Sequence, residues 1–177
     1  MKKPSLSIAG WLVLSLSIMF SACQSFEQRQ PDFDQSVAEE EIHTLLDNWH
    51  LAATETDFEG YFSKMTPDGI FMGTDATEYW TVTEFKVWAK PYFDNGKAWS
   101  FTAHNRHIYF SDDGKTAWFD EELKTPNLGP SRGSGVLSYS ESEESWKIAH
   151  YNLAIPVPNE IVDSVVTQIE EFHSNQD

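Results

Sequence analysis

The sequence predicts an α+β domain in which helices come first and an antiparallel sheet follows. Three observations predict it. An apolar stripe of helical period runs from Ser36 to Met65, a capping box at Thr81 opens a second stripe, and the period changes to two from Trp99 onward. Helices followed by hairpins do not build the alternating units of a doubly wound sheet. The chain has 177 residues, which suits one domain of ordinary size. Its hydrophobic fraction of 40% is enough for a sizeable core and excludes wholesale disorder. With 28 acidic against 12 basic side chains the net charge is −16, so a nucleic-acid partner is not expected, because phosphates need a basic footprint.

The N-terminus reads as an address. Lys2 and Lys3 precede an apolar run from Ile8 to Phe20, too short for a confident membrane span and suited to a signal peptide. Ser21 and Ala22 follow, and then Cys23, the only cysteine. A single cysteine excludes an internal disulfide and a Cys-based zinc site. Residues 1–22 are thus expected as a signal peptide. Residues 23–35, polar and carrying Pro31, are expected as a tether.

The domain is expected over 36–160. Ser36 with Glu39 forms a capping box, and Ile42, Leu45, Leu46, Trp49, Ala52 and Ala53 make one apolar face. After a break at Thr56-Asp57, Phe58 to Met65 forms a short helix. Pro67-Asp68-Gly69 reads as a turn and Ile70 to Met72 as a short strand. The helix opened by Thr81 and Glu84 carries Phe85, Trp88, Ala89, Tyr92 and Phe93 on one face. Four strands follow, over 99–110, 116–123, 133–139 and 146–155, the first two joined by Asp112-Asp113-Gly114. Pro156 and Pro158 stop the sheet. Asn159 then caps an amphipathic helix with Ile161, Val162, Val165, Val166, Ile169 and Phe172, so that 161–177 is a C-terminal helix and tail. Trp49, Phe71, Trp88 and Ile148 are expected among the most buried side chains.

Two resemblances attach to particular residues. Phe20-Ser21-Ala22-Cys23 resembles the lipobox of bacterial lipoproteins, with Phe20 where that motif usually has Leu. This implies lipidation (palmitate among the acyl groups) at Cys23 and a periplasmic position on a membrane. Gln24 after the cysteine resembles outer-membrane sorting in Gram-negative bacteria. Further along come Trp49-His50, Gly73-Thr74-Asp75 running to Tyr79-Trp80, and Ala117-Trp118-Phe119-Asp120-Glu121. With Arg132 to Leu137 and Trp146 to Ala149 running to Asn152-Leu153, they are similar to the nuclear transport factor 2-like superfamily, in its SnoaL-like branch. The resemblance implies a cone-shaped (cystatin-like) fold, with helices packed on a strongly curved antiparallel sheet and an internal pocket. It also implies a possible homodimer through the outer face of the sheet. That superfamily spans isomerases, cyclases, dehydratases and non-catalytic domains, so fold alone does not choose a function.

Candidate site residues follow from chemistry and period. Trp118, Asp120 and Glu122 share one face of a strand. A symmetric hairpin would place Arg106 opposite Asp120 and His104 opposite Glu122. The same set also reads as cross-strand ion pairs on a solvated face. His50 borders the apolar stripe of the first helix and can work as a hydrogen-bonding group or a base near neutral pH. Trp80, Trp88, Trp118 and Tyr151 are candidates to line an aromatic pocket, with Arg132 as a further polar partner. Glu40-x-x-His43 reads as a solvated helix face. His104 and His107, an odd number apart, are expected on opposite faces. No metal and no cofactor are expected. Gly129-x-Ser131-x-Gly133 matches a nucleophile elbow in letters only, because a loop precedes the serine and a strand follows it. Two functions stay open. One is binding of a small apolar or cyclic molecule, or of a protein partner, in or around the cone. The other is cofactor-independent isomerase, cyclase or dehydratase chemistry, with His50 and Asp120 or Glu122 moving protons.

Overall fold

Asp34 starts the first helix. The computed structural model describes residues 33–175, so the expected signal peptide, Cys23 and most of the expected tether lie outside it. Helix α1 spans Gln35–Thr54, and Asp34 Oδ1 accepts from the Ser36 and Val37 amides at 3.0 and 3.3 Å. The expected cap at Ser36 gives way because its hydroxyl also donates to Asp34, at 2.8 Å. Asp57 caps the short helix α2, Phe58–Phe62. Strand β1 (Met65–Met72) follows, then β2 (Tyr79–Thr81), and α3 (Val82–Asp94) opens with both halves of the Thr81–Glu84 capping box.

Four long strands make the rest: β3 (Thr102–Phe110), β4 (Thr116–Lys124), β5 (Ser131–Ser140) and β6 (Ser145–Ala154). A 3-10 turn over Asn159–Ile161 leads into helix α4, Val162–Ser174, without the expected side-chain cap from Asn159. The six strands form one sheet in the order β2-β1-β6-β5-β4-β3. The fold class is thus α+β as expected, with one correction. β1 runs parallel to β6, pairing Phe71 with Tyr151, so the sheet is mixed. A parallel neighbour needs a long crossover, and α3 with four strands supplies it. The expected turn at Pro67 to Gly69 lies within β1, where the pairing shifts register between Met65 and Ile70.

The core lies between the inner face of this sheet and helices α1, α2 and α3. Ile42, Leu46, Trp49 and Ala53 recur at three and four along α1 and are buried. Aromatic rings fill much of the space. Phe71 stacks on Phe85 with centroids 4.0 Å apart, and Trp49 stacks on Tyr61 at 4.8 Å. Trp49, Phe71 and Ile148 are buried, but Trp88 is 38% exposed. Trp88 lies one position off the row Phe85, Ala89 and Phe93 that α3 turns inward, so it sits at the rim of that face.

Candidate functional site

Strand β4 decides which acid is inside. Ala117, Phe119, Glu121 and Leu123 face the helices and are buried, whereas Trp118, Asp120 and Glu122 point to the other face. The shared site expected for His50 with Asp120 or Glu122 is therefore corrected: the carboxylate beside His50 belongs to Glu121. Trp118 is 45% exposed and stacks on Tyr109 of the outward face instead of lining a pocket.

A bulge in β3 brings an arginine to the same place. His104 pairs with Glu122, as expected, but the next pair is His107 with Asp120, so β3 carries one residue more than β4 between them. Asn105 absorbs it at φ 47°. The extra residue turns Arg106 inward, away from Asp120. It also puts His104 and His107 on one face, against the expectation, each beside its own carboxylate at 3.1 and 3.0 Å. Arg132 is exposed and stands in register with Glu122 on that outward face.

Helix α1 supplies the remaining groups. His43, Asp47 and His50, four and three positions apart, lie on one side of it. His50 Nε2 donates to Glu121 Oε1 at 2.7 Å, and Tyr151 Oη donates to the same oxygen at 3.2 Å. Arg106 Nε donates to Glu121 Oε2 at 2.8 Å. Its Nη1 donates to the His43 carbonyl at 3.2 Å, and its Nη2 lies 2.9 Å from Asp47. Glu121 is fully buried and the Arg106 side chain is 4% exposed. Burial pushes the Glu121 carboxyl up. His50, by hydrogen bond and charge, and the Arg106 guanidinium outweigh it and hold the group below the usual glutamate range. The Tyr151 phenol goes well above its usual range, first through burial and then through the Glu121 charge.

Gly133 on β5 lets these groups meet. A β-carbon there would lie 2.3 Å from Tyr151 Oη and 2.8 Å from Glu121 Oε1, so no larger residue fits without displacing them. Ser131, the serine of the elbow-like pattern, opens β5 and donates to the Gly129 carbonyl at 3.3 Å.

His50 also borders a cavity of about 10 Å³ lined by Trp49, Tyr61, Phe71, Trp99, Phe101 and Tyr151. That is at the lower limit for a single water. Among the described residues, Trp49 Nε1 and Tyr61 Oη of these lining side chains are buried without a partner at hydrogen-bond geometry. Burial pushes the Tyr61 phenol well up, and the Trp99 indole offsets this only in part. Of the four aromatics expected to line a pocket, Tyr151 alone does so here. Trp80 packs on Trp88 in a tilted pair at 4.8 Å and stacks on Phe85. The sequence reading missed Glu121, His43 and Asp47, whose signal was the alternation Ala117, Phe119, Glu121, Leu123 and the spacing of 43, 47 and 50.

A mixed six-stranded sheet with helices on its inner face is the nuclear transport factor 2-like, or cystatin-like, class of fold. Solved structures agree. A cystatin-like domain of unknown function from Nostoc punctiforme matches with a TM-score of 0.61 at 14% identity, over 81% of this chain and 98% of that one. A nuclear transport factor 2-like protein of unknown function from Pseudomonas putida matches at 0.57 and 13%, over 71% and 91%. A cystatin-like fold protein from Burkholderia xenovorans matches at 0.57 and 15%, over 70% and 96%. Identities this low show the fold alone. The family model of the SnoaL-like domain matches residues 42–158, and the chain belongs to that family. No curated protein matches it.

Proposed function

We propose that this chain is a membrane-tethered periplasmic domain that binds a small apolar or cyclic molecule carrying one polar group. One observation carries this reading. Trp49, Tyr61 and His50 line one aromatic space, and Trp49 Nε1 and Tyr61 Oη are buried without a partner at hydrogen-bond geometry among the described residues. Buried polar atoms left open are costly, about 1–3 kcal/mol each, and a ligand that pairs with them recovers that cost. His50, whose Nε2–H is committed to Glu121, offers Nδ1 as an acceptor when neutral.

The space itself, about 10 Å³, is too small for such a ligand as it stands. Trp99 and Phe101 cover it from the segment 95–101, which has no regular structure between α3 and β3. Ligand entry therefore requires these two rings to swing outward. The tether fits the same account. Phe33, where the described chain begins, packs on Phe110 of β3 with centroids 5.2 Å apart. Anchoring through lipidated Cys23, in the outer membrane of a Gram-negative bacterium, rests on the sequence features alone.

The 2.7 Å His50–Glu121 contact favours a second reading. A carboxylate that orients a histidine and would stabilise its charged form is a general arrangement for proton transfer. In that case His50 is the base and Glu121 its positioning residue, for isomerase, cyclase or dehydratase chemistry.

The test is titration of the chain with phenol, indole and cyclohexanone, followed by NMR of the protein and of each compound. Binding predicts saturable shifts at the Trp49 and Trp99 indoles with the compound unchanged. Conversion of the compound supports the proton-transfer reading. No saturable shift with any of the three would overturn both.

A further inference from the structure

Helix α4 keeps none of its side chains buried. Val162, Val166, Ile169 and Phe172 are 40, 46, 51 and 59% exposed, and at about 3.6 residues per turn they fall in one arc with Val165. Asp163 and Glu170 border that arc on one side, and residues 159–177 contain neither Lys nor Arg. An amphipathic helix with its apolar face open lacks its partner. A lipid surface does not suit it, because helices that lie in a membrane interface rely on a basic polar face. An apolar groove edged with cations does.

The chain carries such a groove between α2 and α3. Phe58, Val87 and Pro91 line a depression of about 660 Å³, with Lys86, Lys90 and Asp94 along it. Val87 is 74% exposed. Lys86 Nζ and Lys90 Nζ lie 5.7 and 5.5 Å from the Phe62 and Phe58 ring centres, which sets both cations along an aromatic rim. Lys90 shares its charge with Asp94 at 2.5 Å, and Lys86 makes no ion pair among the described residues.

We propose that α4 of one copy seats in the α2–α3 groove of a second copy, with reciprocal exchange closing a two-fold dimer. The apolar arc of α4 covers Phe58, Val87 and Pro91, and Asp163 and Glu170 face Lys86 and Lys90. Pro156 and Pro158 stiffen the link between β6 and the 3-10 turn that leads into α4. Reciprocity matters in two ways. A one-way contact of helix with groove would propagate into open chains, whereas exchange closes. It also doubles the buried surface toward the roughly 1,200–2,000 Å² of a stable interface. This dimer uses neither the outer sheet face nor the cavity at His50, so it stands or falls separately from the ligand.

Sedimentation equilibrium of the full chain in mild detergent tests it. The native chain is a dimer. Asp163→Lys with Glu170→Lys, or Lys86→Glu with Lys90→Glu, raises the dissociation constant about tenfold or more, and all four changes in one chain restore the dimer. Ile169→Asp separates the copies while leaving the far-ultraviolet circular dichroism of the domain unchanged, because no α4 residue is buried. A native monomer overturns the proposal, including one whose α4 amides are protected from exchange by docking on its own chain. A dimer indifferent to both charge reversals, as one formed through the sheet would be, overturns it as well.

Discussion

Glu121 and His50 stand 71 positions apart in the chain and 2.7 Å apart in the structure. No other carboxylate is as deeply buried among the described residues, and it is held by Arg106 and Tyr151 as well. Removing it would leave the buried Arg106 guanidinium with only the largely exposed Asp47, at 2.9 Å, to offset its charge. Glu121→Ala is therefore expected to cost about 3–5 kcal/mol in urea unfolding. Asp120→Ala and Glu122→Ala, on the outward face, should stay within about 1 kcal/mol of the native chain. Equal effects at all three positions would mean that the inward face of β4 is misassigned.

Much of the fold was legible because its periods are clean. The α1 stripe, the Thr81–Glu84 box and the hairpin at Asp113 each rest on local physics that tertiary contacts reinforce. The parallel pairing of β1 with β6 was not legible, since it joins segments more than seventy residues apart and no local residue encodes it. The candidate site was half legible. His50 was found from the helical stripe, but the large ring of Trp118 drew attention to the outward parity of β4. Glu121 is not singled out by sequence, which alone does not show the arginine and histidine that neutralise it. The bulge at Asn105, a single residue at φ 47°, then reversed the side on which Arg106 emerges.

Gly133 allows the Tyr151–Glu121 contact by having no side chain. Gly133→Ala would place a methyl 2.3 Å from Tyr151 Oη and should cost roughly 1–3 kcal/mol. Tyr151→Phe removes that oxygen. The double variant Gly133→Ala with Tyr151→Phe should thus be more stable than the two single losses sum to, as read from a double-mutant cycle. Additive losses would show that the methyl clashes elsewhere.

Stability should depend on acid through Glu121. Its carboxyl is held below the ordinary value of 4.5, so the stabilisation is complete above that value and is lost as pH falls through the lower, folded-state value. Glu121→Gln cannot titrate. The stability gap between the native chain and this variant, measured by urea unfolding, should narrow on acidification below about pH 4.5. A gap that stays constant or widens would contradict the ion pairing described here.

The anchoring proposed above rests on Cys23. Cys23→Ser should convert a membrane-bound protein into an uncleaved precursor or a soluble periplasmic one. Membrane fractionation and processing unchanged in that variant would remove the lipoprotein reading.

The proposed ligand enters a space that opens beneath Trp99 and Phe101, with His50 as its polar floor. Two-dimensional NMR of the tryptophan indole N–H groups during titration with phenol measures this most directly. The account predicts that the Trp49 and Trp99 signals shift together and saturate at one equivalent, and that His50→Ala weakens the apparent affinity about tenfold. Shifts confined to Trp118 on the opposite face of the sheet, or no saturable shift at all, would contradict it.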